Sequence, residues 1–321
     1  IKMKWWVKTL TTCNWTVLPG HRLHLMGLTK HSMKSGKTQT HKWQFMALGT
    51  SWSIETFSAL PAKTKQLIAA RIETYDKTYS RFRDDSLVAK LRTPGSYEFP
   101  NDVVPLLELY KTLYDLTDGR MTPLIGNMME QAGYDADYSL QPKPITDLPP
   151  FAALEWDGDR TVRPTQPIVL DIGAAGKGYL VDIIATLLED HDIYDYTIDA
   201  SGDIKQKGEH TETIGLENPN DITKVIGTVT LHNQSLCASA ITRRAWQGLH
   251  HIFDPTTKKP TASKQATWVI AETTMLADAL ATALFFVPAD ALAAQFKFEY
   301  VALNMDGTID SSPTLSGELF I

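Results

Sequence analysis

The sequence predicts an α+β fold with ligand space between two lobes. Three observations point there. Strand-like and helix-like segments are mixed without the strict alternation of a parallel α/β chain. A glycine-rich stretch joins a short apolar run to a helix, Ile168–Ile172 followed by Gly173–Gly178. Apolar residues make up 43% of the chain and charged residues 21%, the composition of a globular protein with a sizeable core.

The segment 44–55 (QFMALGTSWSIE) is rich in strand formers around Gly49 and reads as an opening strand with a close backbone approach. Across 62–83, Leu67, Ile68, Ile72, Tyr75 and Tyr79 recur at helical spacing. The pattern repeats over 103–116 with Leu106, Leu107, Tyr110, Leu113 and Tyr114, and Asp118-Gly119 stops it. The polar, proline-bearing stretch 133–150 reads as an irregular connection. Ile168–Ile172 is expected to be a short buried strand, and 179–189 a helix with Val181, Ile184, Leu187 and Leu188 inward. Strands are expected at 196–200, 225–231, 267–271 and 300–305, with a helix over 275–287.

The first 45 residues stand apart as an N-terminal extension, leaving 46–321 as one domain. Lys2, Lys4 and Lys8 flank only a short Trp-Trp-Val run, too brief for a secretory signal. A start near Met33 and a cytoplasmic protein are therefore expected. The alternative is an extracytoplasmic lipoprotein anchored through Cys13 in Leu10-Thr11-Thr12-Cys13. The longest apolar stretch, near 277–287, is interrupted by Asp278 and Thr282, so no integral membrane segment is expected. A net charge of −6 and the absence of a basic stripe argue against nucleic-acid binding. The two cysteines, Cys13 and Cys237, have no metal-ligand spacing.

Three stretches could carry chemistry. In Asp171-Ile-Gly-Ala-Ala-Gly-Lys-Gly-Tyr-Leu-Val-Asp182, backbone N–H groups at a helix start can face an anion, with Lys177 as a point charge. The same glycines would equally serve tight packing of the helix. The segment is neither a Walker A loop nor GxGxxG, and Gly36-Lys37-Thr38 lacks the upstream glycine of the former. Asp278 and Thr282, four apart on a helix, share a face where a carboxylate and a hydroxyl can meet one hard cation. Asp278 could instead be a buried carboxylate satisfied by backbone donors. His250-His251-Ile-Phe253-Asp254-Pro255 offers imidazoles suited to general-base work, or a structural pair. Arg243 and Arg244 upstream could pair with phosphates or with surface carboxylates. Phe82, in Ser80–Ser86, could stack on a ligand ring or pack in the core.

Taken in order, these segments resemble the ApbE family of FAD:protein FMN transferases. The likeness runs from about Phe45 to Leu319 through Ala47–Trp52, Ser80–Ser86, Gly119–Gly126, Asp171–Asp182, Ser201-Gly202-Asp203, His250–Pro255 and Ala277–Thr282. It implies a two-lobed fold with FAD as substrate in the cleft and Mg²⁺ at its diphosphate. Asp278 and Thr282 match the family's metal ligands, and Ala174 sits where the glycine-rich segment completes the sphere. Leu48, Phe82, Arg120, Met121, Thr122, Asp171, Lys177 and Phe253 fall at positions that line FAD. His251 matches the histidine associated with transfer. The chain departs from the family pattern at Leu48 (often Met), at Ala238-Ser239-Ala240 (Thr-Ser-Gly), at Thr256-Thr257-Lys258 (Arg-Thr-Gly) and at Ala281, an acidic ligand in some members.

The resemblance implies transfer of FMN to a threonine of an acceptor protein, with AMP released. The same site with water as nucleophile would be an FAD pyrophosphatase, and a flavin-binding module without turnover would lack the Asp278–Thr282 pair. A nicotinamide oxidoreductase is disfavoured by the missing GxGxxG.

Overall fold

The computed structural model describes residues 40–320. Cys13, Met33 and Gly36-Lys37-Thr38 lie outside the described residues, as does everything proposed for a leader or anchor. Among the described residues, no helix is long and apolar enough to cross a membrane.

Eight antiparallel strands form the main sheet. They are β1 (His41–Ala47), β2 (Thr50–Thr56), β3 (Tyr196–Asp199), β4 (Asp203–Lys207), β7 (Ser235–Ala240), β8 (Lys264–Ala271), β9 (Glu299–Asn304) and β10 (Ile309–Ser311), adjacent in that order. Between β4 and β7 the chain leaves to build most of a second, three-stranded sheet from β5 (Glu212–Asn218), β6 (Asp221–Leu231) and the later β11 (Gly317–Leu319). The long excursion between β2 and β3 carries the helices α1 (Ala62–Tyr79), α2 (Val103–Leu116), α3 (Gly126–Gln131) and α4 (Gly176–Glu189). A fifth, α5 (Thr274–Ala283), follows β8.

Strand periodicity explains the layering. Side chains alternate faces along a strand, and in β8 Ala266, Trp268 and Ile270 join one apolar cluster while Val269 and Ala271 join another. The first cluster lies under the second sheet, with Ile214, Leu216, Val229 and Leu231 opposite. The second is shared with α1, α2, α4 and α5 through Ile68, Leu106, Ile184 and Leu280. The main sheet is thus the middle of three layers.

The sequence-predicted elements are largely recovered, with four differences. The opening strand is a hairpin: Leu48 (φ 46°) and Gly49 (φ 72°) make the two-residue turn between β1 and β2. Residues 41–45, expected to belong to the N-terminal extension, are part of β1. Helix α1 stops at Tyr79 because Ser80 is already extended (ψ 114°), and Leu67 is exposed rather than inward. Ile168–Ile172 is not a strand. Its apolar side chains are buried, but its backbone is held by single bonds, Ile168 N–H to Leu91 O (3.1 Å) and Asp171 N–H to Pro123 O (2.7 Å).

Candidate active site

The glycine-rich segment positions α4 against α5. A Cβ on Gly178 would sit 2.3 Å from the Thr274 carbonyl oxygen and 2.8 Å from Asp278 Cβ, so only glycine allows this approach. Its N–H donates to Asp278 Oδ2 at 3.0 Å. One turn along α4, Asp182 accepts from the Thr274 and Met275 N–H groups (3.0 and 2.8 Å) and caps α5 from its neighbour. The packing role of the glycines and the placing of Asp278 are therefore one arrangement.

Asp278 and Thr282 face a cavity of about 320 Å³, a volume at the lower end of small-molecule sites. Ala174, Lys177, Asp171, Arg120, Met121, Thr122, His251 and Phe253 line the same cavity. Leu48 and Phe82 do not. Leu48 sits in the hairpin turn, packed on the core, two residues before Thr50, which does reach the cavity. Phe82 stacks on Tyr138 (centroids 5.4 Å apart, planes at 10°), with the Arg81 guanidinium 4.1 Å above its ring. The adjacent histidines separate in role. His250 is fixed by backbone, its Nε2 2.9 Å from Thr261 O and its Nδ1 accepting from Ile252 N–H (3.2 Å). His251 enters the cavity, and its Nδ1 has no hydrogen-bond partner.

The cavity residues Asp203 and Tyr134, and Arg81 beside the cavity residue Asp171, were not singled out from the sequence as site residues. Asp203, at the start of β4 after the Ser201-Gly202 turn, is 1% exposed and lies 2.7 Å from Lys177 Nζ. The pair is an ion pair out of hydrogen-bond alignment, since Asp203 Oδ2 has no bonded donor. Lys177 also donates to Ala200 O at 2.8 Å, so it is held at two points rather than free. Arg81 Nε donates to Asp171 Oδ2 at 2.5 Å, and its Nη1 to Tyr134 O at 2.9 Å. Tyr134 lines the cavity and stacks on Trp246 (5.6 Å, 21°). Arg243 pairs with the buried Glu217 (2.6 Å). The Ser201-Gly202-Asp203 turn, with positive φ at Ser201 and Gly202, was the one signal available for Asp203. Tyr134 and Arg81 sit in loops, where side-chain periodicity says nothing.

The charges explain what the cavity wants. Burial pushes the Asp278 carboxyl well above the carboxylate range, and the neighbouring Asp203 pushes it further. Asp203 is raised too, by burial, with Lys177 opposing. Asp171 is the contrast: burial would raise it, but Arg81 and the Gly173 N–H overcome this and the net shift is down. Burial, and then Arg244, lower the His251 imidazole to about 3. Two buried carboxylates thus share one lysine. A cation beside Asp278 would relieve both, and the Asp278 carboxylate, the Thr282 hydroxyl and the Ala174 backbone are hard oxygen donors of the kind Mg²⁺ takes. Among the described residues no cluster of three or more His, Cys, Asp or Glu side chains offers a metal cage. The donor set therefore suits an ion that shares its sphere with a substrate.

A model of the ApbE family matches residues 48–302. The FAD:protein FMN transferase of Rhodobacter capsulatus is 26% identical over 302 residues, which cover 86% of this chain and 57% of that protein. The chain thus spans little more than half the length of this relative. The protein of the same description from Haemophilus influenzae is 26% identical over 292 residues, 82% of each chain. Two solved structures share the fold. The ApbE protein of Thermotoga maritima matches with a TM-score of 0.75 at 23% identity, and the flavin transferase ApbE of Vibrio cholerae with 0.72 at 19%. Each match covers 86% of this chain and 98% of the other.

Proposed function

Because the chain belongs to the ApbE family, we propose that it is an FAD:protein FMN transferase that attaches FMN to a threonine of an acceptor protein and releases AMP. The observation that carries this reading is the convergence of Asp278 and Thr282, Lys177 and His251, from three separate segments, on one cavity.

FAD binds as substrate with its diphosphate toward the start of α4, where backbone N–H groups and the helix dipole favour an anion. Asp278 and Thr282, with the Ala174 backbone, would hold Mg²⁺, which would supply positive charge to neutralise the diphosphate. Lys177, kept in place by Asp203 and the Ala200 carbonyl, adds a fixed positive charge. His251 is neutral at physiological pH, so a ring lone pair is free to take a proton. The anionic diphosphate raises the proton affinity of this imidazole in the complex, in opposition to Arg244. The acceptor threonine oxygen attacks the FMN phosphorus, and its proton passes to His251. The bond from that phosphorus to the bridging oxygen breaks, and AMP leaves with the oxygen.

Incubation with FAD, Mg²⁺ and a candidate acceptor domain, followed by intact-mass measurement, tests the proposal. Gain of one FMN phosphoester on the acceptor, lost when its threonine is replaced, is expected. Conversion of FAD to free FMN and AMP across a panel of acceptors, with no mass gain, would establish hydrolysis instead.

A further inference from the structure

Tyr110 is the one tyrosine among the described residues whose buried hydroxyl has no hydrogen-bond partner. Its ring is packed in the core on α2, and the residue is 2% exposed, yet it lines the same cavity as Ala174 and Asp278. An unpaired buried hydroxyl is costly, and native interiors rarely keep one without reason. The usual reason is a ligand or a water that completes it.

We propose that the Tyr110 hydroxyl is a substrate-binding group, donating its hydrogen bond to a phosphate oxygen of the dinucleotide held at the start of α4. The assignment rests on the transferase reading for the identity of that dinucleotide. Its chemistry follows from the surroundings. A tyrosine hydroxyl carries its proton at neutral pH, and with no acceptor in the protein it is free to donate to a ligand. Gly173, Ala174 and Lys177, at the turn that opens α4, line the same cavity as Tyr110, which sets the hydroxyl in the space where an anion at that turn would lie. A group bound there must be an acceptor, and an anionic one forms the stronger bond. A phosphate oxygen meets both conditions. A flavin ring edge meets only the first.

The test compares wild type, Tyr110→Phe and Tyr196→Phe by titration with FAD and with ADP, and by ligand-free thermal melting. Tyr110→Phe is expected to weaken both ligands about tenfold, equivalent to about 1.4 kcal/mol. Its ligand-free Tm should be unchanged or higher, because the deleted hydroxyl had no partner. Tyr196→Phe deletes a hydroxyl that donates to Glu189 Oε1 at 2.6 Å. It should lower the Tm and leave both affinities alone. A Tyr110→Phe protein that binds both ligands like wild type, or that loses Tm as Tyr196→Phe does, overturns the assignment. If ADP binding weakens in Tyr110→Phe while the wild type transfers no FMN, the Tyr110 assignment stands and the transferase reading falls.

Discussion

Burial acts on His251 and Asp278 in opposite chemical directions with the same result: each is driven toward its neutral form. For His251 the folded value, about 3, lies below the ordinary 6.5. Between those values the unfolded chain binds the proton and the folded chain does not, so stability falls as pH drops through 6.5 toward 3. The loss from pH 7 to pH 5 is at most ~2 kcal/mol, reduced by solvent screening of a half-buried ring. Chemical denaturation at both pH values should show this component in wild type and its absence in His251→Gln; parallel pH profiles would contradict it. The same variant should transfer FMN about 10²–10⁴-fold more slowly, the usual contribution of a general base. Asp278 makes a different prediction. Asp278→Ala should abolish transfer and still fold, since a carboxylate raised by burial and by Asp203 contributes little to the apo protein. Thr282→Val should weaken metal dependence less, because a hydroxyl carries no formal charge. A drop in Tm with turnover per folded molecule intact would make Asp278 purely structural, and full activity in EDTA would remove the metal from the reaction.

At the scale of elements, the contact of α4 with α5 governs the site. Gly178→Ala puts a methyl group against the Thr274 carbonyl and Asp278 Cβ, and overpacking of this kind costs about 1–3 kcal/mol. Circular dichroism melting should show that loss, and Mg²⁺ dependence should shift because α5 carries Asp278 away from the Gly178 N–H. An unshifted metal titration would mean that the two helices move together. This contact also shows what the sequence could reveal. Asp278 and Thr282 were legible because helical spacing puts them on one face, and α2 was recovered end to end from its apolar period. The start of α4 was legible as chemistry, while the choice between anion cradle and close packing needed the distance to Thr274. Ile168–Ile172 misled because a short apolar run reads the same whether its backbone joins a sheet or merely crosses the core. Gly49 was taken for a glycine within one strand because alternation continues on both sides of a two-residue turn. Asp203 was hidden as a site residue because its meaning comes from Lys177, a contact that neither segment announces alone.

Seen whole, the cavity is lined on one side by an arm, residues 241–262, that runs from the main sheet toward α3. Two short hairpins build it, and it is tied down by Trp246 and Phe253 packed among Met128 and Met129, by Trp246 Nε1 donating to Ala132 O (2.9 Å), and by the pairs Arg243–Glu217 (2.6 Å) and Lys258–Asp147 (2.7 Å). Each hairpin has only two residue pairs and much of the arm's backbone is exposed, so its own pairing belongs to the less stable part of the molecule. Hydrogen exchange should slow severalfold across 241–262 when FAD and Mg²⁺ are added, while amides of β8 stay unchanged; uniform protection of the whole chain would argue against a local closure. The sheet order has a further consequence, for the history of the chain rather than its chemistry. β2 pairs with β3 across the whole helical excursion, and Asp278 and Thr282 lie beyond β8. Contacts so distant in sequence form late and slowly. During synthesis a nascent chain exposes β2 and the glycine-rich segment long before α5 leaves the ribosome, so a product truncated before α5 lacks Asp278 and Thr282, and the cavity gains its full lining only late in translation.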